Sequence, residues 1–276
     1  MSTDSQTQGP QSPVVIVTGG ARGLGRAMSL ALLRNGARVV VANLSSQDMP
    51  ELARTAAGEG FEDRLLCLEC DVTRWADCSN AVDAAVAKFG AVHGLVNNAG
   101  IGMQDIGPVL VGKRKCFFEV EPETWRRAID TNCNGAFFMA KAIAPKLIQQ
   151  RWGRIVNIVT SFFTMMMDGF SPYGPSKAAL ESATVIWSKD LAGTGVTVNA
   201  LLPGGPADTR MIPQHEVSDR ATLLQPAVME APIVWLMSTR SNGVSGRRII
   251  AKDWDAGRLT REPPEQIGSP AGWGGS

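Results

Sequence analysis

Six short apolar runs, each followed by a longer segment, constrain the fold of this chain more than any other feature. The runs occupy residues 14–17, 38–42, 65–69, 93–96, 154–159 and 196–202. Segments with helix periodicity lie between them, at residues 24–35, 48–58, 74–88, 123–150 and 173–192. Continuous Val, Ile and Leu runs are typical of strands buried on both faces, and helices between them connect such strands in parallel. The pattern predicts one doubly wound α/β domain, with a parallel sheet of about seven strands and helices on both faces.

The predicted domain spans residues 13–256, because neither an internal repeat nor a linker interrupts the alternation. Residues 1–12 are rich in Ser, Thr, Gln and Pro, and we expect a flexible tail there. Residues 257–276 are rich in Gly and Pro, which predicts a second, loose tail at the other end.

Charge and hydropathy exclude several kinds of partner. The 27 Lys and Arg residues balance 26 Asp and Glu residues, and the only tight basic cluster is at residues 113–115, so we expect no nucleic-acid partner. No apolar run approaches the ~20 residues that cross a bilayer. Residues 1–12 also lack the features of a signal peptide. We therefore expect a cytoplasmic protein without a membrane partner.

The metal-ligating residue types are sparse. Only two histidines are present, and the five cysteines include Cys67 and Cys70 in a predicted strand. Their odd spacing sends the two side chains to opposite faces of that strand, which suits neither a redox pair nor a metal site. We expect small buried side chains there and no metal.

A glycine-rich turn follows the first apolar run and reads Thr18-Gly19-Gly20-Ala21-Arg22-Gly23-Leu24-Gly25. Glycines allow a backbone to turn tightly and approach a pyrophosphate, whose charge is stabilised by amides at a helix N-terminus. Its place between a strand and a helix predicts a Rossmann-type dinucleotide site. The alternative is a turn that binds no ligand.

The single tyrosine of the chain, Tyr173, precedes Lys177 by four residues, or about one helical turn. A free phenol titrates near pH ~10, and a neighbouring cation favours the phenolate. The pair can therefore act as an acid/base device. Taken in isolation, the spacing fits a packed aromatic residue and a solvated lysine better, so the surrounding motifs decide between the two interpretations.

Three motifs in order resemble the short-chain dehydrogenase/reductase family in its compact form. They are the Gly-x-x-x-Gly-x-Gly turn, Asn97-Asn98-Ala99-Gly100 after the fourth run, and Tyr173-x-x-x-Lys177 after the fifth. The resemblance extends over residues 14–254. It implies an NAD(P)-dependent oxidoreductase that transfers hydride between nicotinamide and a small-molecule carbonyl or secondary alcohol. It also implies a homodimer or homotetramer. The alternative is a catalytically silent nicotinamide-binding sensor or scaffold of the same fold.

The resemblance also implies roles for individual residues. Tyr173 matches the general acid/base, Lys177 the residue that binds the nicotinamide ribose and lowers the tyrosine pKa, and Asn132 the asparagine that helps to hold a water beside the lysine. The family's catalytic serine falls on either Thr160 or Ser161, and the spacing leaves both open. Pro175 departs from the family pattern, and we expect it within the first turn of its helix.

The cofactor positions implied by the resemblance are Gly19, Arg22, Gly23, Leu24, Gly25, Asn43, Asp71, Val72, Asn98, Ala99, Gly100, Tyr173, Lys177, Pro203, Gly204 and Thr209. Asn43 stands where a carboxylate would repel a 2′-phosphate, and Arg22 offers a cation that pairs with one. The sequence favours NADP(H), with NAD(H) as the alternative.

Features around the expected pocket indicate an apolar substrate. Residues 165–167 are three consecutive methionines. They either line an adaptable pocket or pack beneath a lid over residues 210–225 or at a subunit interface. Other apolar candidates for the pocket wall are Met103, Trp152, Phe162, Phe163 and Met211. The longer loop over residues 101–121 is expected to be an insertion beside the pocket.

Overall fold

The computed structural model describes residues 9–110 and 112–273, which form a single sheet with helices on both of its faces. The strands are β1 Val14–Thr18, β2 Arg38–Asn43, β3 Leu65–Glu69, β4 Gly94–Asn97, β5 Gly153–Ile158, β6 Val196–Leu202, β7 Arg247–Ile250 and β8 Ser269–Pro270. The α-helices are α1 Gly23–Arg34, α2 Met49–Gly58, α3 Trp75–Phe89, α4 Pro122–Ile129, α5 Gly135–Gln149, α6 Phe162–Met165, α7 Tyr173–Asp190, α8 Glu230–Leu236 and α9 Arg258–Arg261. A flexible tail is predicted over residues 1–12. Residues 1–8 of this range lie outside the described residues.

The strand order is β3-β2-β1-β4-β5-β6-β7-β8. Strands β1 to β7 pair in parallel, and β8 pairs with β7 in the antiparallel direction. The predicted doubly wound sheet with seven parallel strands is confirmed. The chain reverses its direction of winding between β1 and β4, so the carboxyl ends of these two strands border a crevice.

Alternate residues of each central strand belong to opposite hydrophobic clusters. Val15 and Val17 of β1 pack with residues of α1, α2 and α8, whereas Val14 and Ile16 pack with residues of α3 and α5. Because both faces of the sheet are covered, the side chains along β1 are almost all apolar. Cys67 packs against the first cluster and Cys70 belongs to the second, which confirms their opposite orientations.

The C-terminal segment differs from the expected loose tail as far as residue 273. Ala271 N–H donates to the Gly246 carbonyl at 2.8 Å, Ile267 is buried, and β8 extends the sheet. Gly268 has a φ of +74°, and a Cβ there would lie 2.5 Å from the Arg248 carbonyl oxygen. Glycine at this position serves a close approach of two backbones, which composition does not distinguish from flexibility.

Within the described residues, we find no helix that combines the length and the apolar character needed to cross a membrane.

Candidate active site

The turn between β1 and α1 requires its glycines. Gly19 and Gly23 have φ values of +62° and +52°, and a Cβ on Gly25 would lie 2.2 Å from the Gly19 carbonyl oxygen. Arg22 occupies the N-cap of α1, and no side chain there caps the free amides. An N-terminus with uncapped amides beside a close-approaching turn fits the pyrophosphate of a dinucleotide.

Thr18 joins this turn to the loop after β4. Its Oγ1 accepts hydrogen bonds from the N–H groups of Asn98 and Ala99, both at 3.0 Å, and donates to the Val96 carbonyl. The Asn98 side chain donates in return to the carbonyls of Thr18 and Gly19, at 2.9 and 3.0 Å. Sequence reasoning missed Thr18 as a site residue, although a hydroxyl at the end of a buried strand was the available signal.

The second and third strands end in polar residues that shape the same crevice. Asn43 is buried; its Oδ1 accepts from Ala21 N–H at 3.4 Å and its Nδ2 donates to the Ser45 carbonyl. The Asp71 carboxylate accepts hydrogen bonds from the N–H and hydroxyl of Thr73, at 2.9 and 2.7 Å. These contacts hold the loops in place around the crevice.

A cleft of about 1260 Å³ lies at these strand ends. Most of the predicted cofactor positions line it, namely Gly19, Arg22, Gly23, Leu24, Gly25, Asn43, Asp71, Val72, Asn98, Ala99, Gly100 and Thr209. Four predicted positions are outside this lining, namely Tyr173, Lys177, Pro203 and Gly204. Gly204 packs instead against Ile250 and Lys252. The glycines, the uncapped helix end and the volume together fit a dinucleotide.

Asn132 lies in a break of the helix expected over residues 123–150. Residues Asp130–Asn134 form a π-helical turn between α4 and α5, a feature that is frequent at functional sites. The Asn132 side chain accepts from Ile101 N–H at 2.7 Å and donates to the Ile101 carbonyl at 2.9 Å. It also donates to Ser176 Oγ at 2.9 Å, and Ser176 donates to the Tyr173 carbonyl at 2.7 Å. Ser176 is a second positioning residue that sequence reasoning missed.

Tyr173 is the first residue of α7, and Pro175 lies in the first turn as expected. Lys177 is only 4% exposed, and its Nζ donates to the Ile158 carbonyl at 2.8 Å. A Cβ on Gly100 would lie 3.1 Å from Asn132 Oδ1 and 3.6 Å from Lys177 Nζ. The polar cluster of Asn132, Tyr173 and Lys177 therefore adjoins the Gly100 end of the cleft.

The structure separates the two candidate hydroxyls. The Thr160 hydroxyl lies beside the Tyr173 phenol, whose pKa it lowers. Ser161 instead caps α6: its Oγ accepts from Thr164 N–H at 3.0 Å and lies 2.8 Å from Thr164 Oγ1. The Ser161 hydroxyl is engaged by its own helix, whereas the Thr160 hydroxyl faces the phenol.

Burial controls the titration of this cluster. Desolvation raises the pKa of the Tyr173 phenol, and the hydrogen bond with Thr160 opposes the rise. Desolvation also lowers the pKa of Lys177 from 10.5 to about 8.

The described part of loop 101–121 packs against Tyr173. Met103 and Ile106 form a buried apolar cluster with Phe170, and this cluster packs against Tyr173. The expected lid meets the loop, since a Cβ on Gly102 would lie 2.7 Å from Met211 Cγ. The Glu216 carboxylate of the lid accepts hydrogen bonds from the N–H groups of residues 109 and 110.

The other apolar candidates divide among different surroundings. Met165 packs with Val159 and Leu180, Met167 packs beside Tyr173, and Met166 is 70% exposed. The expectation that Trp152 joins the pocket wall is wrong. It lies at the amino end of β5, where its Nε1–H donates to Asn242.

Known proteins match this arrangement over most of its length. A sequence model of the family described as short chain dehydrogenase matches residues 13–219. The chain is a short-chain dehydrogenase/reductase.

Relatives agree with this membership of the short-chain dehydrogenase/reductase family. A chloroplastic NADPH-dependent aldehyde reductase-like protein of Arabidopsis thaliana is 34% identical over 224 residues, 76% of this chain and 80% of the relative. The 3-oxoacyl-acyl-carrier-protein reductase FabG of Thermotoga maritima is 29% identical over 248 residues, 87% of this chain and 96% of the relative. A crystal structure of a short-chain type dehydrogenase/reductase from Mycobacterium marinum has a TM-score of 0.76 at 25% identity, covering 87% of this chain and 94% of that one.

Membership identifies the reaction class. Enzymes of the short-chain dehydrogenase/reductase family are oxidoreductases that use a nicotinamide cofactor and act on small molecules, and the chain is an oxidoreductase of this kind.

The two neighbouring hydroxyls give a matched pair of variants. We expect Thr160→Val to lower kcat by roughly tenfold or more, because the phenol loses its hydroxyl partner. We expect Ser161→Ala to retain kcat and to lower the unfolding free energy by about 1 kcal/mol, as for loss of a helix N-cap. Steady-state kinetics and urea unfolding measure the two effects, and the reverse pattern would assign the catalytic hydroxyl to Ser161.

The buried ammonium predicts a pH-dependent cost in stability. Because the pKa of Lys177 falls to about 8 in the fold, keeping it charged at pH 7 costs about 3 kcal/mol. Lys177→Met removes that cost and loses a hydrogen bond worth about 1 kcal/mol, so we expect the unfolding free energy at pH 7 to rise by about 2 kcal/mol.

This advantage shrinks as the pH rises from about 8 to 10.5, because the wild-type lysine then becomes neutral in the fold while the unfolded chain still binds its proton. Urea unfolding at pH 7 and pH 10 measures the difference. Lys189→Met removes an exposed lysine of the same helix and serves as the control. A gain for Lys177→Met that is equal at both pH values would contradict the desolvation account.

Proposed function

We propose that this enzyme transfers hydride between NADP(H) and the carbonyl or secondary alcohol of an apolar small molecule, with Tyr173 as general acid/base. The observation that carries the proposal is that the only phenol of the chain belongs to a polar cluster, in which Asn132 donates to Ser176 and Ser176 donates to the Tyr173 carbonyl. Buried Lys177 is one helical turn further along α7, and the Thr160 hydroxyl lowers the pKa of the phenol. The alternative, a silent nicotinamide-binding sensor, has no use for this arrangement of proton donors.

The residues that would hold the cofactor are those of the cleft. The uncapped amides of α1 suit its pyrophosphate, and Gly100 borders the polar cluster. When bound, the nicotinamide supplies or accepts the hydride.

The proton step belongs to the side chains of this chain. In the reduction direction, the Tyr173 hydroxyl gives its proton to the substrate oxygen, and the Thr160 hydroxyl stabilises the phenolate that remains. Lys177 stays protonated below pH ~8 and supplies the positive charge that favours this phenolate. Asn132 and Ser176 hold the first turn of α7 against Ile101, so that the phenol keeps its place. Positioned proton transfer of this kind contributes roughly 10²–10⁴ to the rate.

An apolar substrate is supported by the surroundings of Tyr173. Met103, Ile106, Phe170 and Met167 surround the phenol, and a substrate that reaches it must contact these side chains. The transfer of apolar surface from water to such a wall favours binding, whereas a charged group would be left without a partner.

NADP(H) is supported by the charges at the end of β2. Asn43 places no carboxylate there, and its side chain is occupied with Ala21 and Ser45. The guanidinium groups of Arg22 and Arg210 share the single carboxylate of Asp48, with N···O distances of 3.7 and 2.8 Å. Two cations share this one carboxylate, and a 2′-phosphate would offer them a second anionic partner.

We also propose a homodimer or homotetramer. Large apolar side chains are exposed on α4, α5 and α7, namely Trp125, Phe137, Ile148 and Ile186. Burial of such side chains between copies of the chain removes apolar surface from water.

Tyr173→Phe tests the mechanism. We expect turnover to fall by at least about a hundredfold while the cofactor Kd stays within about twofold, because only the dissociable proton is lost. The assay follows absorbance of the reduced cofactor with a panel of apolar ketones, aldehydes and alcohols. Full activity of the variant would overturn the role of Tyr173, and absence of wild-type turnover with both cofactors would favour the silent binder.

Arg22→Ala tests the cofactor assignment. We expect the Kd for NADPH to rise about tenfold or more, because a charge-assisted hydrogen bond to phosphate is lost, while the Kd for NADH stays within about threefold. Fluorescence titration of the reduced cofactors measures both. Arg54→Ala removes one exposed charge outside the cleft lining and is the matched control. Tighter binding of NADH than of NADPH by the wild type would show that the assignment is wrong.

A further inference from the structure

A buried ion pair lies behind the carboxyl end of β5. Arg248 of β7 is 4% exposed and Glu181 of α7 is fully buried, and Arg248 Nη1 lies 2.5 Å from Glu181 Oε2. Two charges at this depth lose their hydration, and an apolar pair of similar volume often stabilises a fold equally well. Stability alone therefore gives a weak account of the pair, and its other contacts are informative.

The second terminal nitrogen of the Arg248 guanidinium group contacts the loop after β5. Arg248 Nη2 donates to the carbonyl of Thr160 at 2.5 Å, and its Cζ lies 4.0 Å from the centre of the Phe162 ring. The fork of an arginine fixes both directions at once. Arg248 thereby holds the backbone of Thr160, and the side chain of Thr160 lies beside Tyr173.

The carboxylate of Glu181 connects α7 with the C-terminal segment. Glu181 is one turn beyond Lys177 on α7, and its Oε1 accepts from Gly272 N–H at 2.9 Å. The neighbouring Trp273 ring lies 5.5 Å from the Phe162 ring, so the segment after β8 covers the pair. The ion pair thus ties the loop after β5 to α7, and these two segments carry Thr160 and Tyr173.

We infer that Arg248 and Glu181 are positioning residues, which set the distance between the Thr160 hydroxyl and the Tyr173 phenol through the Thr160 carbonyl. The inference rests on the proposed function, since it assigns these residues to the same proton transfer. A reacting group displaced by about 1 Å loses roughly 10² in rate, so an anchor of this kind affects kcat without a contact to substrate or cofactor.

The test uses Arg248→Met combined with Glu181→Gln. The pair of changes leaves no unpaired buried charge, and the glutamine retains an acceptor for Gly272. We expect kcat to fall about tenfold or more, with the cofactor Kd within about twofold and KM within about threefold. Circular dichroism and thermal melts establish that the variant is folded.

A second variant, Arg248→Lys, preserves the charge opposite Glu181 in case the double variant does not fold. One ammonium replaces the fork, so the contact with Thr160 is weakened while Glu181 remains paired. We expect an intermediate loss of kcat with little change in Tm.

Arg154→Met is the matched control. Arg154 is equally buried and its Cζ lies 4.1 Å from the Trp152 ring, but it stands at the amino end of β5. Its partners are the carbonyls of Gly153 and Ser238 and the side chain of Asn242, all neutral. We expect a lower Tm and an unchanged kcat.

Wild-type kcat in the folded double variant, or in Arg248→Lys if only that variant folds, would overturn the inference. A loss of cofactor affinity as large as the loss of kcat would overturn it too, because it would indicate general disruption. Activity of Tyr173→Phe distinguishes the two proposals: if that variant is inactive while the double variant retains full kcat, only the positioning role fails.

Discussion

Parallel pairing of β1, β4, β5 and β6 is the constraint on which the rest of the structure depends. These strands run in the same direction, so the loops at their carboxyl ends all lie along one edge of the sheet. The dinucleotide-type turn after β1, the Asn98 loop after β4 and Thr160 after β5 therefore meet at one edge. The parallel order of the strands therefore brings together residues that are far apart in sequence.

Side chains that contact backbone carbonyls and amides lock these loops together. Thr18 bonds the loop after β4, Asn132 bonds both backbone groups of Ile101, and Ser176 passes the contact to Tyr173. Each of these hydrogen bonds is partly buried, and a buried polar group without a partner costs free energy. The loops at the edge of the sheet are held by these bonds, which is what a reaction needing sub-ångström placement requires.

Lys177 shows the conflict between stability and chemistry. Its ammonium is desolvated and its pKa is lowered, so keeping this group charged in the folded protein costs free energy. The Ile158 carbonyl offsets part of this cost and directs the group toward the cleft. Arg248 and Glu181 repeat the arrangement one turn further along α7, as a charged pair that is buried beside reacting groups.

The sequence by itself determined the strands, the parallel sheet, the glycine turn and the resemblance that pointed to Tyr173, Lys177 and Asn132. These features depend on local periodicity and spacing, which are visible in the sequence itself. Only the tertiary structure separates the surroundings of Thr160 and Ser161, because it shows that the Ser161 hydroxyl caps α6. It also decided that residues 257–273 are packed rather than loose, that burial raises the pKa of Tyr173, and that Arg248 contacts the Thr160 carbonyl. Each of these depends on contacts between distant segments, and residue type alone does not encode which groups such contacts bring together.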